Sequence, residues 1–372
     1  MNFTKKEIQA VAVGLLALVA VGCLSMVAGQ NWESKVTAFP TKTEMDVQKR
    51  ARLLLDNMTL EEKISQLLLV EYPEDVETLP ETGVGGYLLG ETWFAGKSTG
   101  DVLRDVENLQ ENLPLAAFIA VQEEGGERVP VSGNKALRAV PFLSPQELLA
   151  TGGLGLVESD AAEKAKLLRE LGITMNFGPV CDVVTEKTAF MLPRALGKDA
   201  AATVRYTDKV VSQGVQQNLI SVLPGFPGQG NKTAPDAADE RSFMALQSSD
   251  FLPYGAGIRA GAGVISLSGQ IVPALDGEVP ASLSSSVCRL LRKDLGFEGV
   301  VLSGNLSALS GEEGALAVQA LRAGCDMVQV QSGALTAEAI GKAVSEGTLS
   351  EERLDESLLR ILNLKIQYGI IS

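Results

Sequence analysis

Apolar residues fall into two alternating patterns along this chain. Where they recur three and four apart they predict helices: Val47, Ala51, Leu54, Leu55 and Met58 share one stripe, and Leu354, Leu358, Ile361, Leu362 and Lys365 share another. Thr59 and Glu62 have the spacing of a capping box, in which hydroxyl and carboxylate each take an unpaired backbone N–H at a helix start. The last helix is expected over Ser350 to Tyr368, with Gly369 just past its end. Between the helical stretches lie short continuous apolar runs, at about residues 65–70 (SQLLLV), 83–89 (GVGGYLL), 115–121 (LAAFIAV), 173–180 (ITMNFGPV), 219–226 (LISVLPGF), 263–271 (GVISLSGQI), 299–305 (GVVLSGN) and 325–331 (CDMVQVQ). Continuous apolarity suits strands buried on both faces, and helical stretches such as Asp160 to Leu171 and Ser285 to Leu295 separate most of them. Eight strand-then-helix units predict an α/β fold, a single (β/α)8 barrel of TIM type over residues 43–372. A doubly wound open sheet is the alternative, but no GxGxxG turn follows the first strand.

Ahead of the barrel, residues 1–30 place Lys5 and Lys6 before an apolar run from about Ile8 to Ala28, the pattern of a membrane-targeting segment. About 20 apolar residues are enough for an uncleaved helical anchor. Ala20-Val21-Gly22-Cys23 also resembles a lipobox, in which Cys23 would be the lipidated residue. Anchor and lipoprotein both put the rest of the chain on the extracytoplasmic face of a cell membrane; a cleaved, freely secreted form is the remaining alternative and also places it outside that membrane. Residues 31–42 are polar and interrupted by Pro40, as expected of a short tether.

Composition narrows the chemistry. The net charge of −14 opposes binding to a polyanion, which excludes nucleic acid as a partner. There is no histidine, so the chain lacks imidazole as general base, as zinc ligand and as a partner for a nucleophilic Ser or Cys. Cys23, Cys181, Cys288 and Cys325 show no CxxC spacing, and the last three read as small buried thiols. Neither a metal nor a cofactor is expected. In a barrel of this type chemistry belongs to the carboxyl ends of the strands. Those ends carry Glu71, Glu91, Gln122 to Gly126, Asp182, the stretch from Pro224 to Asp239, Gly269, Gln270, Ser303 to Asn305 and Gln331.

At these strand ends the chain resembles the family-3 glycoside hydrolases, in particular their single-domain β-N-acetylglucosaminidases. The matching stretches run in order from Met58-Thr59-Leu60-Glu61-Glu62-Lys63-Ile64 through Glu124-Gly125-Gly126, Met175 to Val180 with Asp182, and Phe226-Pro227-Gly228. They continue with Pro280-Ala281-Ser282-Leu283-Ser284 and Leu295 to Val300. The resemblance implies a β-N-acetylhexosaminidase barrel, and it also shows what has changed. The family's third strand ends in DQEGG, whose Asp grips sugar hydroxyls; here Gln122 stands in its place. The fifth carries KHFPGHG and then an Asp-x-His acid/base pair. Here the stretch reads Pro224-Gly225-Phe226-Pro227-Gly228-Gln229-Gly230, with Asp236 and Ala238 at the positions of the pair. The sixth often ends in SHN, here Ser268-Gly269-Gln270; the seventh ends in TDD or SDD, whose first Asp is the nucleophile, here Ser303-Gly304-Asn305. Arg194 matches a substrate-binding Arg, with Asp182 nearby.

Retaining hydrolysis needs a carboxylate nucleophile and a proton donor flanking the glycosidic bond. Gly304 and Ala238 supply neither, so the expectation is a pseudoenzyme with no intact catalytic residue. Arg194, Asp182, Gln122, Gln229 and Gln270 are its candidate substrate-binding residues, for an N-acetylhexosamine-containing glycan; an envelope protein is the other partner considered. Two alternatives stay open: an active glycosidase rewired through other carboxylates, and a purely structural protein of the envelope.

Overall fold

A computed structural model describes residues 42–72, 82–111, 113–237 and 239–371. The segment expected to target a membrane, Cys23 and the expected tether up to residue 41 lie outside them, as does Ala238. The chain divides into Met1–Asp46 and Val47–Ser372. Among the described residues no helix is long and apolar enough to cross a membrane.

The elements in chain order are α1 (Lys42–Leu55), α2 (Leu60–Gln66), β1 (Leu68–Glu71), β2 (Gly86–Leu88), α3 (Glu91–Phe94), α4 (Thr99–Gln110), β3 (Phe118–Val121), α5 (Pro145–Glu170) and β4 (Met175–Phe177). They continue with α6 (Ala200–Gln216), β5 (Ile220–Phe226), α7 (Phe243–Ser248), α8 (Phe251–Ala260), β6 (Val264–Leu267), α9 (Pro273–Asp276) and α10 (Ser285–Arg289). The last are β7 (Val300–Asn305), α11 (Glu313–Ala323), β8 (Met327–Val330), α12 (Gly333–Ser345) and α13 (Glu351–Gln367). All eight strands are parallel, pair in chain order and close through β1 and β8 into a barrel. The predicted (β/α)8 fold is the observed one.

Local chemistry explains the element ends. Thr59 and Glu62 form the expected capping box, so the first predicted run yields its Ser65 and Gln66 to α2 and β1 starts only at Leu68. Ser350 caps α13, and Gly369 sits just beyond it at φ +64°, as a residue past a helix end requires. The stripe on α13 is wholly buried, from Leu354 to Lys365. Each aliphatic side chain in it contributes roughly 1.5–3 kcal/mol by leaving water. Two predicted helices differ in extent. Asp160 to Leu171 is the second half of α5, which starts at a Ser144–Glu147 capping box and breaks at Gly152 and Gly153. Ser285 to Leu295 is α10 followed by one wider π turn, Leu290–Asp294.

Strand register fixes which side chains face the barrel axis. Residues paired across a parallel ladder point to the same face, and faces alternate along each strand. A Cβ on Gly214 of α6 would meet Ser221 Oγ at 2.7 Å, and one on Gly257 of α8 would meet a Leu223 methyl at 2.5 Å, so Ser221 and Leu223 face the helices. The opposite set faces the axis: Leu69 and Glu71, Phe118 and Ala120, Met175 and Phe177, Leu302, Met327 and Gln329.

Candidate functional site

Two strands carry an extra residue at their carboxyl ends. On β7, Leu302 pairs with Met327 while Asn305 pairs with Gln329, three residues against two. Simple alternation from Leu302 would aim Gly304 along the barrel axis; the bulge gives that direction to Asn305 instead. Gly304 is backed into the wall. A Cβ there would stand 2.7 Å from the Leu267 carbonyl oxygen and 3.0 Å from Ser282 Oγ, which accepts the Gly304 N–H at 2.8 Å. The position aligned with the family nucleophile thus has no space for a side chain.

Asn305, by contrast, reaches the mouth of the barrel. Its Nδ2 donates to Glu71 Oε1 at 2.7 Å, and Gln329 Nε2 donates to the same oxygen at 2.9 Å. Asn305 Oδ1 accepts from the Ser307 N–H and hydroxyl, which fixes the amide's orientation. Three neighbouring strands, β7, β8 and β1, therefore hold one carboxylate through neutral donors. Glu71 and Asn305 were legible as strand-end residues; Gln329 sits one residue inside β8 and carries no motif.

On β5 the extra residue lies between Leu223 and Phe226. Phe226 faces outward, stacked on Phe251 with ring centroids 5.5 Å apart and edge-on to Tyr254. Tyr254 donates its hydroxyl to the Pro224 carbonyl at 2.7 Å, and Gly225 has φ +82°, a conformation strained for any residue with a side chain. The two positions aligned with the family's Lys and His are therefore turned into a tip clamped on α8.

The loop beyond is organised by cations. Lys232 Nζ donates to Pro235 O at 2.9 Å, Gln270 Oε1 at 3.2 Å and Gln229 Oε1 at 3.3 Å, and Gln270 Nε2 donates to Gly228 O at 2.7 Å. Burial lowers the Lys232 pKa. Beneath it Arg241 binds both oxygens of Asp239, at 2.8 and 2.7 Å, lies 2.7 Å from Asp250 Oδ1 and donates to Gly228 O. Asp182, fully enclosed, accepts the Gln229 N–H, and burial pushes its carboxyl up to about 6 despite that bond. In the Asp239–Arg241–Asp250 group only Asp239 falls within the stretch the sequence singled out; Arg241, Asp250 and the grouping itself match no family motif.

The remaining candidates separate. Asp236 is exposed on the loop. Arg194 pairs with Glu124 through two bonds of 2.8 and 2.5 Å, so its guanidinium ties the loop after β4 to the loop after β3. Gln122 accepts from Arg128 at 2.9 Å. Gln122 and Arg194 are thus on the β3–β4 side, Gln229 and Gln270 on the β5–β6 side, and Asp182 links the two through the Gln229 backbone. A cavity of about 40 Å³ beside α5 and α6, lined by Glu123, Glu124, Asp160, Lys164, Asn176, Arg194, Tyr206 and Ser221, has room for water but not for a sugar, and Asn176 and Ser221 reach it from the helix side of the sheet. Cys181, Cys288 and Cys325 are buried thiols, as expected. No group of three metal-ligating side chains occurs among the described residues.

A profile of the Glycosyl hydrolase family 3 N terminal domain matches residues 59–364. The beta-hexosaminidase LpqI of Mycobacterium tuberculosis is 28% identical over 335 residues, which cover 82% of each chain. A beta-hexosaminidase of Xanthomonas campestris pv. campestris is 29% identical over 292 residues, 76% of this chain and 87% of its own. Among solved structures, a family-3 beta-N-acetylglucosaminidase from Paenibacillus superposes with a TM-score of 0.77 at 27% identity, covering 84% of this chain; this chain spans 63% of that enzyme. M. tuberculosis LpqI superposes with a TM-score of 0.75 at 23% identity over 85% of this chain and 96% of its own, a likeness of fold. Barrel, strand-end motifs and relatives converge: the chain belongs to glycosyl hydrolase family 3, and within it resembles the hexosaminidases.

Proposed function

We propose that this protein is a membrane-tethered, extracytoplasmic barrel that binds an N-acetylhexosamine-containing glycan at its mouth without cleaving it. The packing behind Gly304 carries the reading. A missing aspartate alone would leave a gap that water or another carboxylate could enter, whereas here the wall closes against the Leu267 carbonyl and Ser282. With no histidine in the chain, the acid/base step also lacks its family group. The relatives named beta-hexosaminidase support a glycan as ligand, and the apolar segment before residue 30 supports the tether.

The test is direct. With an aryl N-acetyl-β-glucosaminide, the purified protein is expected to release chromophore no faster than buffer, and Gly304→Asp is expected to stay equally silent. In the same preparation chitotriose is expected to raise the thermal midpoint. Turnover well above blank that disappears in Asp182→Asn or Asp236→Asn would overturn the non-catalytic part of the reading.

A further inference from the structure

Glu71 is a carboxylate that the barrel presents at its mouth, and among the described residues its side-chain partners are the amides of Asn305 and Gln329. Both donors to Oε1 are side-chain amides, which orient a carboxylate but leave its charge in place. No Lys or Arg nitrogen lies within 4 Å of Glu71 among the described residues. Lys232, across the mouth, is committed to three acceptors of its own loop, and Arg194 and Arg241 are committed to Glu124 and to Asp239 with Asp250. A partly enclosed carboxylate with fixed geometry, one oxygen left without a donor from the described residues, and no counter-charge is complementary to a cation that also donates hydrogen bonds.

Resting on the glycan-binding reading above, we infer that the sugar unit seated against Glu71 is a hexosamine with a free ammonium group rather than an acetamide, so that the protein selects de-N-acetylated stretches of the glycan. An ammonium gives Glu71 a charge-assisted bond, whereas an acetamide offers one neutral N–H and no charge. Asn305 and Gln329 are positioning residues in this arrangement, because they set the carboxylate's direction without touching the nitrogen.

The experiment compares binding of the glucosamine trimer and of chitotriose to the native protein and to Glu71→Gln by calorimetry, at low and at physiological salt. Gln keeps an oxygen for both amides, and an unchanged thermal midpoint verifies that the variant is folded. The expected result is at least tenfold tighter binding of the glucosamine trimer by the native protein. That preference should disappear in Glu71→Gln, shrink as salt rises, and fade as pH rises through the titration of the ligand's own amine. Chitotriose binding as tightly as the glucosamine trimer, or a preference that survives Glu71→Gln, would overturn the inference and leave glycan binding standing. Failure of both trimers to bind would overturn the glycan-binding reading as well.

Discussion

Lys365 shows how far a single residue can be read from the sequence. It occupies the apolar stripe of α13 where a helical period calls for an aliphatic side chain, and the structure buries it completely. Its Nζ donates to Gln66 Oε1 at 2.6 Å and to the Ala116 carbonyl at 2.7 Å, below the first turn of the barrel, and burial pulls its pKa down to about 7. An unfolded lysine titrates near 10.4. Between those values the unfolded chain holds more protons, so this group makes stability rise with pH, and the full penalty is present below pH 7. Urea unfolding of native protein and Lys365→Met at pH 7 and pH 9.5 should show the native protein gaining on the variant, by at most about 1.4 kcal/mol per pH unit. A constant difference would show that Lys365 stays charged. Among the site residues, identity was legible and partnership was not. Arg194 was visible as a cation beside Asp182, but its partner Glu124 is 70 residues away in the chain, and no local pattern specifies a pairing of that kind.

Whole strands were more legible than their tips. Seven of the eight apolar runs contain a whole strand, and the first holds all of β1 but Glu71, because continuous apolarity reports burial on both faces whatever the register. A single extra residue inside a run changes none of that composition, yet it reverses the direction of every side chain beyond it. This is why the stretch GVVLSGN predicted a strand correctly while leaving hidden that Asn305, not Gly304, faces the mouth. The packing at that tip gives a prediction independent of activity. Gly304→Ala adds only a methyl, at 2.7 Å from a backbone oxygen that cannot move without disturbing β6. It should destabilise the fold by about 1–3 kcal/mol, as overpacking does, with the loss visible in thermal and denaturant midpoints. A midpoint equal to the native one would mean the wall yields more easily than its geometry implies.

At the scale of the molecule, the two ends of the barrel are built for different tasks. The end where strands begin is held by Asp326, fully buried before β8, which gathers Arg292 and Arg360 and accepts from the Val301 N–H and the Ser357 hydroxyl, joining β7, β8 and α13. Asp326→Asn would leave these guanidiniums short of a partner; since they keep partial solvent access, the expected loss is about 3 kcal/mol, at the lower end for a broken buried pair. It should lower the thermal midpoint while leaving the proposed glycan binding intact, and a loss of affinity matching the loss of stability would contradict that separation. A domain has only about 5–15 kcal/mol of stability to draw on. The closed wall behind Gly304 therefore acts as a ratchet. On the non-catalytic reading proposed above, an aspartate introduced there would first subtract from that margin, and catalysis by the family's route would also need Ser282, the β6 tip and the β5 loop rebuilt around it, so no single substitution would supply it.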